Sequence, residues 1–194
     1  MLIQKEGLAI RLMRDSMDDY GLMAGWLSDE RVLEFYEGRD NPFALERIIE
    51  KYSPRTLGLE GVTPCFIVQV GMPIGYIQHY PIDAETAVEY EIPHTGGIYG
   101  LDMFIGEPSA WNLGIGTRAV SLMCDYLFRE LAARTITLDP EAWNTRAIRC
   151  YEKCGFRKIK LLPARELHEG QYRDCWIMAR QAGDQPTTRF GATS

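Results

Sequence analysis

Two glycines stand between an apolar run and a helical pattern, in the segment Trp111–Thr117. Glycines at the start of a helix let backbone N–H groups approach an anion such as a phosphate, and the helix dipole favours the negative charge. The segment lacks the Gly-Lys-Ser/Thr of a nucleotide P-loop and the three glycines of a dinucleotide fingerprint. Gly114 and Gly116 by themselves therefore indicate an anion site only weakly, and a structural turn explains them about as well.

A second segment, Asn144–Phe156, has the signals of a short helix. Asn144 can cap it, Ala147 and Tyr151 share its inner face, and Gly155 can end it. On spacing alone, Tyr151 is a core tyrosine whose hydroxyl has found a partner.

One acidic residue occupies an unusual place. Asp102 is flanked by Leu101, Met103 and Phe104 in a run that predicts a strand. Burying an unpaired charge is costly, so an acid in this setting suggests a function. The alternative is a solvated aspartate on a sheet edge.

Together, the glycine segment and the Asn144 segment resemble the two acetyl-CoA motifs of the GNAT (GCN5-related N-acetyltransferase) superfamily. More narrowly, the chain is similar to the aminoglycoside 6′-N-acetyltransferases, including the acetyltransferase half of the bifunctional aminoglycoside-modifying enzyme. The resemblance covers roughly residues 8–180 and includes five further segments: Trp26–Tyr36, Pro73–Gln78, Tyr99–Pro108, Leu167–Gly170 and Asp174–Cys175.

The resemblance implies an enzyme that moves an acetyl group from acetyl-CoA, its co-substrate, to the 6′-amine of kanamycin-, tobramycin- or amikacin-type drugs and so confers resistance, without a metal. It implies that Asp102 receives the amine, either taking its proton or holding the ammonium while water carries the proton away. It implies that Tyr151 points at the coenzyme sulfur and acts as the acid for the departing thiolate. The implied coenzyme contacts are Phe104, Ile105, Leu113, Gly114, Ile115, Gly116, Thr117, Asn144 and Ala147.

The resemblance also implies a set of acceptor contacts, each with an ordinary structural alternative. These are Phe35, Tyr36, Tyr52, Gln78, Asp102 and Asp139. The alternative for Asp139 is a turn aspartate before Pro140, and for Phe35 it is a core position. One departure from the superfamily pattern is Trp111, where Gln or Arg usually stands three residues before the first glycine, so a side-chain contact to the pyrophosphate is not expected there.

The net charge of −6 comes from one stretch. From Thr56 to Thr117 there are 62 residues with seven acids and no Lys or Arg, while the rest of the chain sums to +1. Such a field attracts cations and repels nucleic acid and anionic membranes, so neither nucleic acid nor a membrane is expected as a partner. The stretch covers the implied acceptor side, and Glu85, Glu89 and Glu91 are candidates to border the cleft. A solvated face that aids solubility is the alternative, which we keep for Glu60, Asp83 and Glu107.

Cysteine and histidine usage indicates neither a disulfide framework nor a metal site. Five cysteines, without C-x-x-C spacing, predict free buried thiols, and the histidines His79, His94 and His168 are far apart. The N-terminal segment lacks the features of a secretory signal, and no apolar run reaches the length of a bilayer span. These features predict a cytoplasmic protein, with the choice between monomer and homodimer left open.

The order of elements predicts an α+β or mixed α/β domain over residues 1–181. The resemblance implies that this domain has the GNAT fold, a mostly antiparallel twisted sheet flanked by helices. Residues 182–194 read as a disordered tail. The predicted helices are one capped by Ser16 or Asp18 and reaching Leu27, Asp29–Tyr36, one opened by Asn41-Pro42, one after Gly116, and Asn144–Cys154. The predicted strands are Leu8–Arg14, Pro64–Val70, Pro73–Tyr80, an irregular edge strand within Ala84–Gly97, Ile98–Ile105, Arg134–Asp139, Phe156–Leu162 and Asp174–Ala179.

Two other functions remain open at this point. The first is a GNAT acetyltransferase for another cationic amine, such as a polyamine, a siderophore precursor or a protein N-terminus. The second is a catalytically silent acyl-CoA-binding module, against which the presence of both Asp102 and Tyr151 argues.

Overall fold

The computed structural model describes residues 1–93 and 96–184. Within that part of the chain, one mixed sheet of eight strands runs in the order β1-β2-β3-β4-β5-β6-β8-β7. The strands are β1 Ile3–Lys5, β2 Leu8–Leu12, β3 Thr63–Gln69, β4 Met72–Pro81, β5 Ile98–Ile105, β6 Thr135–Leu138, β7 Arg157–His168 and β8 Gln171–Gln181; the helices are α1 Met17–Trp26, α2 Glu30–Leu33, α3 Leu45–Thr56, α4 Ala84–Glu89, α5 Ile115–Glu130 and α6 Thr145–Lys153.

The sheet opens between β5 and β6. β5 and β6 form its parallel pair, which is limited to Ile98–Gly100 against Thr135–Thr137. On its other side, β5 pairs antiparallel with β4 as far as Ile105. The second half of β5 therefore runs on past its pairing with β6, and a cleft lies at this edge.

Helices cover both faces of the sheet. Successive side chains of a strand point to opposite faces of the sheet. Ile77 and Leu101 therefore pack into a core with α5 and α6, whereas Tyr76 and Phe104 pack into a second core with α1 and α3. Asp102 is two residues before Phe104 and so points to the same face. The alternation that packs the second core also aims the carboxyl group at the cleft.

The predicted fold class is confirmed, and most predicted elements are present with shifted ends. Ser16 caps α1, and its side chain accepts from Asp19 N–H; Asn144 caps α6 in the same way from Ala147 N–H. The helix expected from Asn41-Pro42 begins later, at Leu45.

The prediction of an edge strand within Ala84–Gly97 was wrong. Ala84–Glu89 is the helix α4, because the Asp83 side chain accepts from Thr86 N–H and satisfies its first turn.

The last two strands are longer than predicted, and they form one hairpin. Glu169 and Gly170 at its tip have φ of 49° and 71°, the backbone that a two-residue hairpin turn requires. A similar tip, Glu6-Gly7, joins β1 to β2, and β1 itself was not predicted. Of the predicted tail, Ala182 donates its N–H to Arg134 O at 2.9 Å; residues 185–194 lie outside the described part, as does His94.

Candidate active site

A cleft of about 750 Å³ lies where β5 and β6 separate. Side chains from β4, β5, α6 and β7 line it, together with the loop that precedes α5. We call the part next to Gly114–Thr117 the glycine-loop end and the part around Asp102 and Asp139 the acidic end.

The glycine-loop end fits an anion such as a pyrophosphate. Gly114 begins α5 with φ of 75°, no side chain caps the helix, and its first turn holds no acid. The leading N–H groups of a sixteen-residue helix therefore face the cleft without a competing side chain. At Gly116, a Cβ would lie 3.6 Å from Cys150 Sγ and 3.7 Å from Met103 Cε, which are ordinary van der Waals contacts, so packing against the protein does not by itself require glycine there.

Among the implied coenzyme contacts, Leu113 differs from the others. Its side chain is 68% exposed and does not line the cleft, so only its backbone belongs to the loop. The others line the cleft: Phe104, Ile105, Gly114, Ile115, Gly116, Thr117, Asn144 and Ala147.

Positive charge reaches the glycine-loop end from α6, which carries Arg146, Arg149 and Lys153 into the lining. The guanidinium carbon of Arg146 lies 4.5 Å from the Trp111 ring centroid and 4.2 Å from that of Phe35. The Trp111 indole N–H donates to Ile105 O at 2.8 Å. Where the superfamily usually has Gln or Arg, this chain therefore has an anchored ring that supports an arginine. No sequence motif had indicated this position of Arg146.

At the acidic end, Asp102 is held by two donors from β4. Gln78 Nε2 donates to Oδ2 at 2.6 Å, and Tyr80 O–H donates to Oδ1 at 3.3 Å. Burial raises the pKa of Asp102, the nearby Asp139 charge raises it further, and Gln78, Tyr80 and Arg55 oppose the rise. Asp102 is thus a partly buried carboxyl group with a raised proton affinity, facing a cleft.

Asp139 lies beside Asp102 in the same lining. Its carboxylate accepts from Tyr90 O–H at 3.4 Å, and burial raises its pKa. Glu37, Glu141 and Glu166 add further carboxylates to this end. Burial, followed by its acidic neighbours Asp139, Glu141, Glu37 and Asp102, raises the pKa of Glu166 to about 7. A concentration of carboxylates in a cleft suits an acceptor with several positive charges.

The tyrosine on α6 lies between the two ends. Tyr151 is 8% exposed, and it lines the cleft. Burial raises its pKa well above 10, followed by the effects of Cys150, Asp102 and Asp139. Its hydroxyl therefore stays protonated at neutral pH and can donate.

The aromatic residues expected at the acceptor separate into two groups. Phe35 and Tyr36 line the cleft, and Tyr36 packs on Phe104 with ring centroids 4.7 Å apart. Tyr52 is fully buried, packs edge-on against Tyr76 at 5.4 Å, and is not part of the lining.

The acids of the basic-free stretch Thr56–Thr117 are not where the charge pattern suggested. Of the seven, Asp102 is the member that lines the described cleft. Glu89 pairs with Arg165 at 2.6 Å and Glu91 with Lys160 at 2.7 Å, while Glu85 is exposed in α4. The expectation that these residues border the cleft was wrong for Glu85 and Glu91, whereas Glu89 borders it only indirectly, through its ion pair with Arg165, which lines the cleft.

The five cysteines are free, as expected, although Cys150 is only partly buried. Over residues 1–93 and 96–184, no three His, Cys, Asp or Glu side chains gather as a metal ion would require. In the same residues, no helix has the length and apolar character to cross a bilayer.

Comparison with known proteins decides the family. A sequence profile described as the acetyltransferase (GNAT) domain matches residues 15–163. The chain belongs to the GNAT acetyltransferases. This GNAT acetyltransferase is 32% identical over 153 residues to aminoglycoside N(6′)-acetyltransferase type 1 of Klebsiella pneumoniae, across 79% of its own length and 75% of the relative. It is 39% identical over 62 residues to a kanamycin resistance protein of Rhizobium radiobacter, across 32% of its length and 57% of that protein.

Solved structures confirm the GNAT fold. The crystal structure of aminoglycoside acetyltransferase AAC(6′)-Ib with coenzyme A and kanamycin matches this acetyltransferase with a TM-score of 0.72 at 28% identity, covering 90% of this chain and 94% of the other. A spermidine N-acetyltransferase from Vibrio cholerae matches with a TM-score of 0.74 at 18% identity, across 90% and 95%, and shows the shared fold alone.

Proposed function

We propose that this GNAT acetyltransferase transfers the acetyl group of acetyl-CoA to the 6′-amine of an aminoglycoside of the kanamycin type and so confers resistance. The observation that carries the proposal is the partly buried Asp102 carboxyl group, with its raised pKa, in a cleft that also holds a glycine loop at a helix N-terminus. The similarity to aminoglycoside N(6′)-acetyltransferase type 1 supports the choice of acceptor.

The glycine-loop end would hold the coenzyme. The N–H groups of Gly114–Thr117 and the cations Arg146, Arg149 and Lys153 suit a pyrophosphate, and the second half of β5 lies beside them. Acetyl-CoA supplies an activated thioester. Because acetyl-CoA is made and used in the cytoplasm, we place the enzyme there.

Asp102 would prepare the acceptor. An amine at neutral pH is mostly an ammonium and cannot attack a carbonyl carbon until it loses a proton. A carboxylate with a raised pKa attracts the ammonium and accepts its proton more readily than an exposed aspartate does. Gln78 and Tyr80 keep the carboxylate oriented while this happens.

Tyr151 would complete the transfer. After the amine attacks, the C–S bond breaks and the sulfur leaves as a thiolate that needs a proton. The Tyr151 hydroxyl is protonated over the whole neutral range, because burial holds its pKa far above 10. It can therefore donate to the leaving sulfur and be reprotonated from the cleft.

The test is acetyl transfer by purified protein. Acetyl-CoA and kanamycin are added, free thiol is followed, and the product is checked by mass spectrometry and NMR for acetylation at the 6′-nitrogen. Matched reactions contain spermidine, a lysine-bearing peptide and an aminoglycoside with a 6′-hydroxyl group. Thiol release confined to 6′-amino drugs supports the proposal. Faster turnover of a polyamine or peptide, or no turnover of any 6′-amino drug, refutes it.

A further inference from the structure

A chain of polar side chains connects the protein surface to Asp102. Glu60 accepts from Arg55 Nε at 3.0 Å, and Arg55 Nη1 donates to Gln78 Oε1 at 3.0 Å. Gln78 Nε2 then donates to Asp102 Oδ2 at 2.6 Å. Arg55 comes from the last turn of α3, so a helix on one face of the sheet contacts the central carboxyl group through one residue of β4.

The orientation of the Gln78 side chain is the step that matters. A carboxamide presents an acceptor oxygen on one side and a donor NH₂ on the other, and only the NH₂ can bond a carboxylate. Gln78 Oε1 also accepts from Tyr76 O–H at 2.7 Å, but a hydroxyl can turn and accept instead. Arginine has no acceptor. Arg55 is therefore the partner that excludes the flipped amide, in which the oxygen would face the Asp102 carboxylate.

We propose that Arg55 is a positioning residue for acetyl transfer, which acts through Gln78 to keep the Asp102 carboxylate oriented and ionised in the cleft. The inference rests on the function proposed above. Lys51, the other cation that α3 contributes to the lining, pairs with Glu37 at 2.5 Å instead. Arg55 is a cation beside a site for a cationic acceptor, and its ion pair with Glu60 balances its charge.

Several groups from different elements share the electrostatic surroundings of Asp102. Arg55 lowers its pKa, whereas Asp139 at the end of β6 raises it. The other titratable groups that interact with Asp102 are Tyr36 before α3, Tyr52 on α3, Tyr76 and Tyr80 on β4, Tyr151 on α6 and Glu166 on β7. Without Arg55, desolvation and the neighbouring carboxylates act unopposed by a cation, so protonation of Asp102 moves to higher pH.

The experiment compares Arg55→Met with Arg55→Lys and with Arg47→Met, an exposed arginine of α3 that donates to Asn41 Oδ1 and does not line the cleft. Each variant is tested for folding by circular dichroism and then for kcat and KM against pH. Arg55 acts on Asp102 from beyond Gln78, and its effect on the pKa of Asp102 is smaller than those of burial, Asp139, Gln78 and Tyr80. Because an opposite charge in direct contact with a carboxylate lowers its pKa by about one unit or more, Arg55→Met should shift the acid limb upward by at most about one pH unit. At pH values below both acid limbs, the kcat of Arg55→Met should be lower than that of the wild type by at most about tenfold. At pH values above both limbs, the two kcat values should match. Arg55→Lys should restore most of the shift, and Arg47→Met should match wild type.

A second readout separates this inference from the proposed function. The carboxyl carbon of Asp102 is titrated by ¹³C NMR in wild type and Arg55→Met without substrate, with Asp102→Asn to assign the signal. If the titration of Asp102 shifts upward in Arg55→Met, the inference is supported even if no aminoglycoside is acetylated. A lack of acetylation would refute only the proposed function. The inference is overturned if Arg55→Met changes neither the titration of Asp102 nor the acid limb of kcat. It is also overturned if Arg55→Met lowers the KM for kanamycin and leaves kcat unaltered, because Arg55 would then be a repulsive contact for the drug. If Arg55→Met does not fold, Arg55→Gln replaces it.

Discussion

Asp102 owes its proposed role to two opposing influences on one carboxyl group. Burial and Asp139 favour the protonated form, and the donors Gln78 and Tyr80 favour the ionised form, with the net effect that its pKa rises to about 6. A group balanced in this way is ionised at neutral pH and still a better proton acceptor than an ordinary aspartate. An aspartate on a solvated sheet edge would lack this property.

Replacing Asp102 with Asn should lower kcat/KM for kanamycin by roughly 10²-fold or more, the scale of a lost acid–base group. The wild-type enzyme acts only with Asp102 ionised, so its activity should fall as the pH drops through about 6, and this limb should be absent from the variant. Steady-state kinetics over pH 5 to 9 measure both effects. Asp18→Asn, an exposed position at the start of α1, is the matched control. A loss under about threefold, well below 1 kcal/mol of barrier, would remove Asp102 from the mechanism.

Replacing Tyr151 with Phe removes the donor and leaves the ring packing against Phe156 in place. We expect kcat to fall by about tenfold to 10²-fold while KM for both substrates stays near wild type, because the hydroxyl acts on the departing sulfur. Tyr172→Phe on the exposed face of β8 serves as the control. Equal loss in kcat for an acetyl donor with a better leaving group would argue against the acid role, since such a donor needs less protonation.

At the scale of elements, the start of α5 combines a left-handed backbone with the proposed contact to the coenzyme. Gly114 has φ of 75°, a region that costs an L-residue about 1 kcal/mol, and a Cβ there meets no protein atom within 4 Å. Gly58, after α3, has φ of 73° and equally open surroundings, but lies outside the cleft lining. The two positions therefore share the left-handed backbone that would strain an alanine, and differ in their proposed contact with the coenzyme.

Gly114→Ala and Gly58→Ala should each lower the free energy of unfolding by about 1 kcal/mol. Only Gly114→Ala should also raise the KM for acetyl-CoA, because a methyl group would intrude on the surface that we propose contacts the pyrophosphate. Urea denaturation and acetyl-CoA titration measure the two effects. Equal KM values in both variants would mean that Gly114 serves the turn alone.

The elements differ in how far local sequence determines them. The helix α6 was predictable from the sequence, because Asn144 caps it and an apolar stripe marks its inner face, and both signals are local. The length of the β7–β8 hairpin was not, since β7 is largely exposed and its polar residues carry no alternating pattern. Glu166 reaches the acidic end only because that hairpin extends there. Arg55 was not predicted either, because its contact with Gln78 joins residues 23 positions apart and leaves no local signal in the sequence.

For the whole molecule, net charge and site charge turn out to be separate properties. Six of the seven acids between Thr56 and Thr117 lie outside the cleft lining, and the other carboxylates of the acidic end come from Glu37, Asp139, Glu141 and Glu166. Composition counts charges along the chain, whereas the fold selects which of them meet. Whether the overall negative field or the cleft carboxylates attract a polycationic drug is therefore open to experiment.

Two matched substitutions distinguish these sources. Glu166→Gln removes a carboxylate from the cleft and Glu85→Gln removes one from the exposed α4, so both change the net charge equally. Raising salt from about 0.01 M to about 0.1 M shortens the screening length from about 30 Å to about 10 Å, so kcat/KM for kanamycin should fall in the wild-type enzyme. Measurements are made at pH 8.5, above the pKa of about 7 for Glu166, where that group is ionised.

We expect Glu166→Gln to lower kcat/KM at low salt and to flatten its salt dependence, because the charge it removes lies where the drug's ammonium groups would bind. Glu85→Gln should leave both nearly unchanged. Sucrose of matched viscosity controls for slower diffusion, and KM for acetyl-CoA controls for damage to the glycine-loop end. Equal effects of the two substitutions would show that the field of the whole protein attracts the drug and that the acidic end only binds it after arrival.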